Sequence, residues 1–126
     1  MLRLIPALAL TLAIAGCGGG GDKPKRTATV QPGKVVNVIA GEYFYDPGAL
    51  VVTGGGKFAF EMKNEGSLAH DLKVRRGDEE IGGIKPFQGK GRSEGTTLAL
   101  SPGEYEFYCS VGDHEALGMK GTLRVE

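Results

Sequence analysis

From Lys34 onward, short apolar runs alternate with turn residues, and no stretch sustains the spacing of an amphipathic helix. Alternation with a period of two predicts strands over Val35–Tyr43, Leu50–Val52, Lys57–Lys63, His70–Arg75, Thr96–Leu100, Glu104–Cys109 and Lys120–Val125. Between them stand Asp46-Pro47-Gly48, Gly54-Gly55-Gly56, Asn64-Glu65-Gly66 and Ser101-Pro102-Gly103, each a combination that turns the chain. About seven to eight short strands in one length of chain predict an all-β fold, a Greek-key β-sandwich. The stretch Gly77–Gly95 is too weakly patterned to assign, and a loop, an edge strand or one helical turn all fit it.

The beginning of the chain obeys a different pattern. Arg3 supplies a positive charge, and Leu4 to Ala15 form an apolar run shorter than the roughly 20 residues a membrane-spanning helix needs. The run ends in Ile14-Ala15-Gly16-Cys17, which resembles a bacterial lipobox. That resemblance implies a signal peptide over 1–16, a lipid on Cys17, and attachment to the outer face of the cytoplasmic membrane or within the periplasm. Two or more acyl chains on Cys17 would anchor the protein stably, where one would not. An ordinary export signal with an incidental cysteine is the competing reading. Residues 17–33, rich in Gly, Pro, Lys and Thr, are expected to form a flexible tether, with a first strand near Thr27 as the alternative. The folded domain is expected over 34–126.

Composition narrows the function. The chain has 126 residues, which argues for one domain, and its 15 basic and 15 acidic residues balance. Nucleic-acid binding therefore has no electrostatic support. If Cys17, one of two cysteines, carries the lipid, Cys109 has no disulfide partner. A lone thiol in an exported protein is oxidised unless something holds it, and a metal ion would.

The candidate chemistry lies near that thiol. Both histidines of the chain sit near turns beside strands: His70 opens one strand, and His114 follows Cys109 after four residues. Met119 follows His114 after four more. Parity ties these positions together. Tyr105 and Phe107 share a face with Cys109, Leu72 and Val74 with His70, and Gly121, Leu123 and Val125 with Met119. Asp71, Lys73 and Arg75 fall on the opposite, outward parity. Three candidate ligands thus point inward at strand ends, and His114 lies in the loop between two of them. One thiolate, two imidazoles and a thioether form a donor set suited to copper in both redox states, whereas zinc makes little use of a thioether. A binuclear copper site would need a second cysteine in that loop, and further copper centres would need more histidines.

The pattern resembles the cupredoxins, the plastocyanin, azurin and auracyanin group. It is carried by Phe44 with Asp46-Pro47, Phe58-Ala59-Phe60 before Asn64, Leu100 through Cys109, and Gly118-Met119-Lys120-Gly121-Thr122-Leu123. The two four-residue gaps are similar to those of auracyanins. The resemblance implies one type 1 copper ion held by His70, Cys109, His114 and Met119. It also implies that Asp71 bonds near Ser110, with an outward, solvated carboxylate as the alternative. His114 would be the electron port, with Leu68, Ala116 and Leu117 forming an apolar docking patch around it. Tyr43, Tyr45 and Tyr108 are read as packing residues. The implied role is non-enzymatic: a monomer carrying single electrons between redox partners such as a cytochrome, an oxidase, a reductase or a photosynthetic complex. Copper storage or delivery is the alternative, and a metal-free surface lipoprotein is a third.

Overall fold

The structure, a computed structural model, describes residues 25–126. The expected signal peptide, Cys17 and the first part of the expected tether lie outside the described residues. Among the described residues are ten strands: β1 (Thr27–Val30), β2 (Val36–Gly41), β3 (Phe44–Asp46), β4 (Ala49–Val52), β5 (Gly56–Asn64), β6 (His70–Arg76), β7 (Glu79–Phe87), β8 (Arg92–Leu100), β9 (Gly103–Tyr108) and β10 (Lys120–Val125). They form two sheets, one ordered β1-β4-β10-β9-β6-β7 and the other β3-β2-β5-β8. The fold is an all-β sandwich.

The two inner faces follow from alternation. In β5, Phe58, Phe60, Met62 and Asn64 are buried while the residues between them are exposed. In β9 and β10, Tyr105, Phe107, Leu123 and Val125 do the same from the facing sheet. Burying such side chains supplies the main driving force for closing the sandwich. Two local contacts sharpen the packing. Gly121 lies opposite Phe107 in the β9–β10 ladder, where an added Cβ would collide with the Phe107 ring and with the Gly48 carbonyl oxygen. The Tyr105 hydroxyl donates to the Ser101 carbonyl oxygen at 2.7 Å and so locks the turn that launches β9.

Several expected boundaries shift for physical reasons. The expected strand Val35–Tyr43 breaks after Gly41, because the chain reverses through Glu42 and Tyr43 into β3. Tyr43 takes φ +66 there, a left-handed conformation that a strand excludes. Strand β1 falls inside the expected tether, paired in parallel with β4 from Thr27↔Ala49 to Val30↔Val52. The sandwich therefore begins before residue 34, and Ala28 and Val30 pack against its core. The unassigned stretch Gly77–Gly95 contains β7 and the first part of β8. Strand β7 is an edge strand with only Ile84 and Phe87 buried, and the first half of β8 is exposed. Neither carries the apolar alternation that marks a half-buried strand.

The sheet order decides where the ends of the strands meet. Strand β9 runs antiparallel to both its neighbours, β10 and β6. The end of β9 is therefore beside the beginnings of both, with Tyr108 paired to Lys120 on one side and to Lys73 on the other. Cys109 just after β9, Met119 just before β10, and His70 at the start of β6 converge on one end of the sandwich.

The core's dependence on this junction is testable. Phe107→Ala should lower the unfolding free energy in urea by about 3–5 kcal/mol, and a loss below about 1 kcal/mol would contradict the packing described.

Candidate metal centre

Strand ends fix three of the four candidate donors. His70, Cys109 and Met119 are buried, at 0%, 1% and 0% exposure. His114 reaches the same end from the connection between β9 and β10, and 7% of its surface meets solvent. That connection is tightly wound. The His114 amide donates to the Val111 carbonyl at 3.0 Å, Leu117 to Asp113 at 3.1 Å, Gly118 to Glu115 at 2.9 Å and Met119 to His114 at 3.0 Å. Gly112 and Gly118 take φ +47 and +108, which glycine adopts without a Cβ penalty. The Cys109 amide donates to the Met119 carbonyl at 3.1 Å, which joins the two ends of the loop.

The donors are in mutual reach. One ligand atom each of His70, Cys109 and His114 lies within 4.8 Å of the others. The Cys109 Sγ is 3.5 Å from His114 Nδ1, and the two imidazole centroids are 5.0 Å apart.

Surrounding groups hold this arrangement. Of the two expectations for Asp71, the bond to Ser110 implied by the resemblance is the one found, not the outward position that parity gives: the residue is fully buried. Its Oδ1 accepts the Ser110 amide at 2.7 Å, and its Oδ2 accepts the Ser110 hydroxyl. The pairing of β6 with β7 shifts register between His70 and Leu72, so strict alternation fails at this residue. The Tyr45 hydroxyl donates to the Asp71 carbonyl oxygen at 2.6 Å, while its ring packs on Phe107. Tyr43 differs from an ordinary packing residue. It is 37% exposed and meets His114 edge-on at 5.2 Å.

Sequence reading missed three further groups. Buried Asn64 donates to the Leu68 and Phe87 carbonyls at 2.9 and 3.1 Å and accepts the Gly66 amide at 2.9 Å, shaping the approach to His70. Arg75 donates to Glu115 at 2.6 Å and to Glu106 at 2.7 and 2.9 Å, with its guanidinium 4.2 Å above the Tyr108 ring. It thereby ties the residue after His114 to the sheet. Glu42 accepts the Ser67 and Leu68 amides at 2.6 and 2.8 Å. No local motif marks Arg75 or Glu42, whose partners are distant in sequence, whereas Asn64 falls in the expected Asn64-Glu65-Gly66 turn and only its bonding was missed. Of the expected docking residues, Leu68 and Leu117 are 39% and 51% exposed, and Ala116 is exposed beside them in the loop.

Two observations test whether copper fits. Both ring nitrogens of His70 are buried without a hydrogen-bond partner, and among the described residues no other buried side-chain nitrogen or oxygen is so placed. Such an orphan is costly unless a ligand satisfies it. Burial also pushes the Cys109 thiol above its ordinary pKa. It lowers that of His70, and the nearby His114 lowers it further. Without a cation the cluster favours a neutral Cys109 thiol and a neutral His70 imidazole. A bound metal ion would supply the charge that makes a thiolate stable there. A thiolate, two neutral imidazoles and a thioether match copper by softness.

Fold and donor set together define a type 1 copper protein, with a mononuclear site at one end of a β-sandwich. The chain belongs to the plastocyanin/azurin family of copper binding proteins, whose model matches residues 33–126. Among solved structures it is similar to a dithionite-reduced auracyanin from the photosynthetic bacterium Roseiflexus castenholzii, at 23% identity and a TM-score of 0.64, covering 73% of this chain and 96% of that one. It is also similar to rusticyanin from Thiobacillus ferrooxidans, at 20% identity and a TM-score of 0.61, covering 78% and 82%. A copper-containing nitrite reductase from Thermus scotoductus shares the fold over 79% of this chain and 28% of its own, at 24% identity and a TM-score of 0.55. No curated protein matches the chain in sequence.

Asp71→Ala would remove the buried carboxylate that accepts the Ser110 amide and hydroxyl. The metal-free protein should then lose about 1–3 kcal/mol of unfolding free energy, measured by urea denaturation; unchanged stability would contradict the bonding described.

Proposed function

We propose that this protein carries single electrons between redox proteins at the outer surface of the cytoplasmic membrane, and that it is not a catalyst. The observation that carries the reading is the buried meeting of the His70, Cys109 and His114 ligand atoms within 4.8 Å. Both histidines of the chain are used in this one site, which leaves no imidazoles for a second copper centre. Copper, when bound, supplies a one-electron couple between its +1 and +2 states. The chain's contribution is to hold its donors still. His70 and the residues flanking Cys109 and Met119 belong to three hydrogen-bonded strands, and His114 is wound into a loop braced by Arg75 and Asp71. A donor set that stays fixed in both oxidation states needs little rearrangement as the electron arrives or leaves. Burial keeps water from joining the ligands.

His114 is the port in this reading, because it is the one imidazole donor that meets solvent. Leu68, Ala116 and Leu117 form the uncharged docking patch, and exposed Tyr43, edge-on to His114, adjoins it. A small apolar contact suits partners that must release quickly, whose interfaces lie at the low end of the size range. A cytochrome, an oxidase, a reductase or a photosynthetic complex would be such a partner. The export-like run over 1–16 and the lipobox-like Cys17 support attachment to the membrane, with the sandwich acting as a tethered monomer. Copper delivery needs an exchangeable, more exposed site, and the burial of His70, Cys109 and Met119 argues against it.

Two measurements follow. Cys109→Ser should abolish the intense visible charge-transfer band of the copper protein, because that band requires the thiolate; a band of undiminished strength would remove Cys109 from the ligand set. Leu117→Glu should slow electron exchange with a membrane-bound cytochrome roughly tenfold, an effect of about 1.4 kcal/mol on the barrier, while leaving the visible band unchanged. Equal rates would reject the patch.

A further inference from the structure

Glu42 stands at the reversal between β2 and β3, beside the segment that leads into His70. Its carboxylate is seated rather than free. One oxygen, Oε1, accepts both the Ser67 and Leu68 amides. The carboxylate also lies so close over Gly66 that a Cβ at that position would collide with both its oxygens. The same Oε1 is 3.8 Å from His70 Nε2. That separation is too long for a hydrogen bond, yet a small swing of either side chain would bring it into the range of roughly 2.7–3.2 Å.

His70 needs such a partner. The imidazole is fully buried, and neither nitrogen has a hydrogen-bond partner among the described residues. A neutral imidazole that gives one nitrogen to a metal carries its proton on the other, and that N–H must find an acceptor. Nε2 borders the Glu42 carboxylate, so Nδ1 is the nitrogen left for the metal. We propose that Glu42 is a positioning residue for the copper site: anchored on the Ser67 and Leu68 amides, it receives the His70 Nε2–H, fixes which ring nitrogen meets the metal, and places a negative charge that favours Cu(II) over Cu(I).

Glu42 reaches the metal only through His70. The inference rests on the copper reading of the site, and the two fail differently. Unsubstituted protein that takes no copper removes the site; copper-loaded variants with an unmoved potential remove only the role of Glu42.

Two variants of the copper-loaded protein separate this role from simple bracing of the Ser67–Leu68 segment. Glu42→Gln keeps an oxygen for the two amides and for the Nε2–H but deletes the charge. Glu42→Ala deletes the acceptor as well. Voltammetry should give a raised reduction potential for Glu42→Gln, equivalent to an up to about fivefold weaker preference for Cu(II) over Cu(I), with the visible band retained. In the Cu(I) form, nuclear magnetic resonance should find the His70 Nε2–H exchanging slowly with solvent in the unsubstituted protein and in Glu42→Gln, and faster in Glu42→Ala. If Glu42→Ala does not fold, the potential of Glu42→Gln alone decides. A Glu42→Gln potential equal to that of the unsubstituted protein would overturn the proposal.

Discussion

The antiparallel pairing of β9 with both β10 and β6 is the constraint from which the rest follows. Because β9 ends where its two neighbours begin, three residues far apart in sequence are delivered to one place without any long loop reaching for them. His70, Cys109 and Met119 inherit their positions from backbone ladders, and the side chains behind them, Leu72, Phe107 and Leu123, are held in the same core. The stability of the sandwich and the geometry of the site are thus one property. A strand cannot slip by one residue without turning both its core face and its ligand inside out.

His114 is the exception, and its neighbourhood is built accordingly. It lies on a loop, where backbone ladders give no help. The loop is wound by its own hydrogen bonds, pinned through Ser110 by the buried Asp71 carboxylate, and clamped through Glu115 by Arg75. Arg75 is itself sandwiched between two carboxylates and the Tyr108 ring, so its guanidinium has little freedom. The one candidate donor that no strand end positions is braced by side chains instead. It is also the candidate donor nearest solvent. Glu42 and Asn64 do the equivalent work on the other side, shaping the segment from Gly66 to Leu68 before His70.

What the sequence reveals and what it hides divide along physical lines. Strands with one buried face, such as β5, β9 and β10, are legible because alternation is imposed by burial itself. The inward direction of Cys109, His70 and Met119 is legible for the same reason. Strand β7 and the exposed half of β8 are not, since a strand at a sheet edge has little to bury on either face. Asp71 escaped parity because a register shift and the Ser110 loop cover a position that alternation would send outward. The break at Glu42 and Tyr43 depends on a left-handed tyrosine, for which no residue preference gives warning. The Arg75–Glu115 clamp joins residues 40 apart, a contact that only the sheet order brings about.

The account stands on a single copper ion gripped by a thiolate within this buried donor set. Electron paramagnetic resonance of the Cu(II)-loaded full-length protein tests that directly. A highly covalent copper–thiolate bond in a trigonal site delocalises the unpaired electron onto sulfur and compresses the copper hyperfine splitting. One copper per chain with such a compressed splitting is the result expected. A wide splitting typical of tetragonal copper bound by nitrogen and oxygen, or no stoichiometric copper at all, would contradict it.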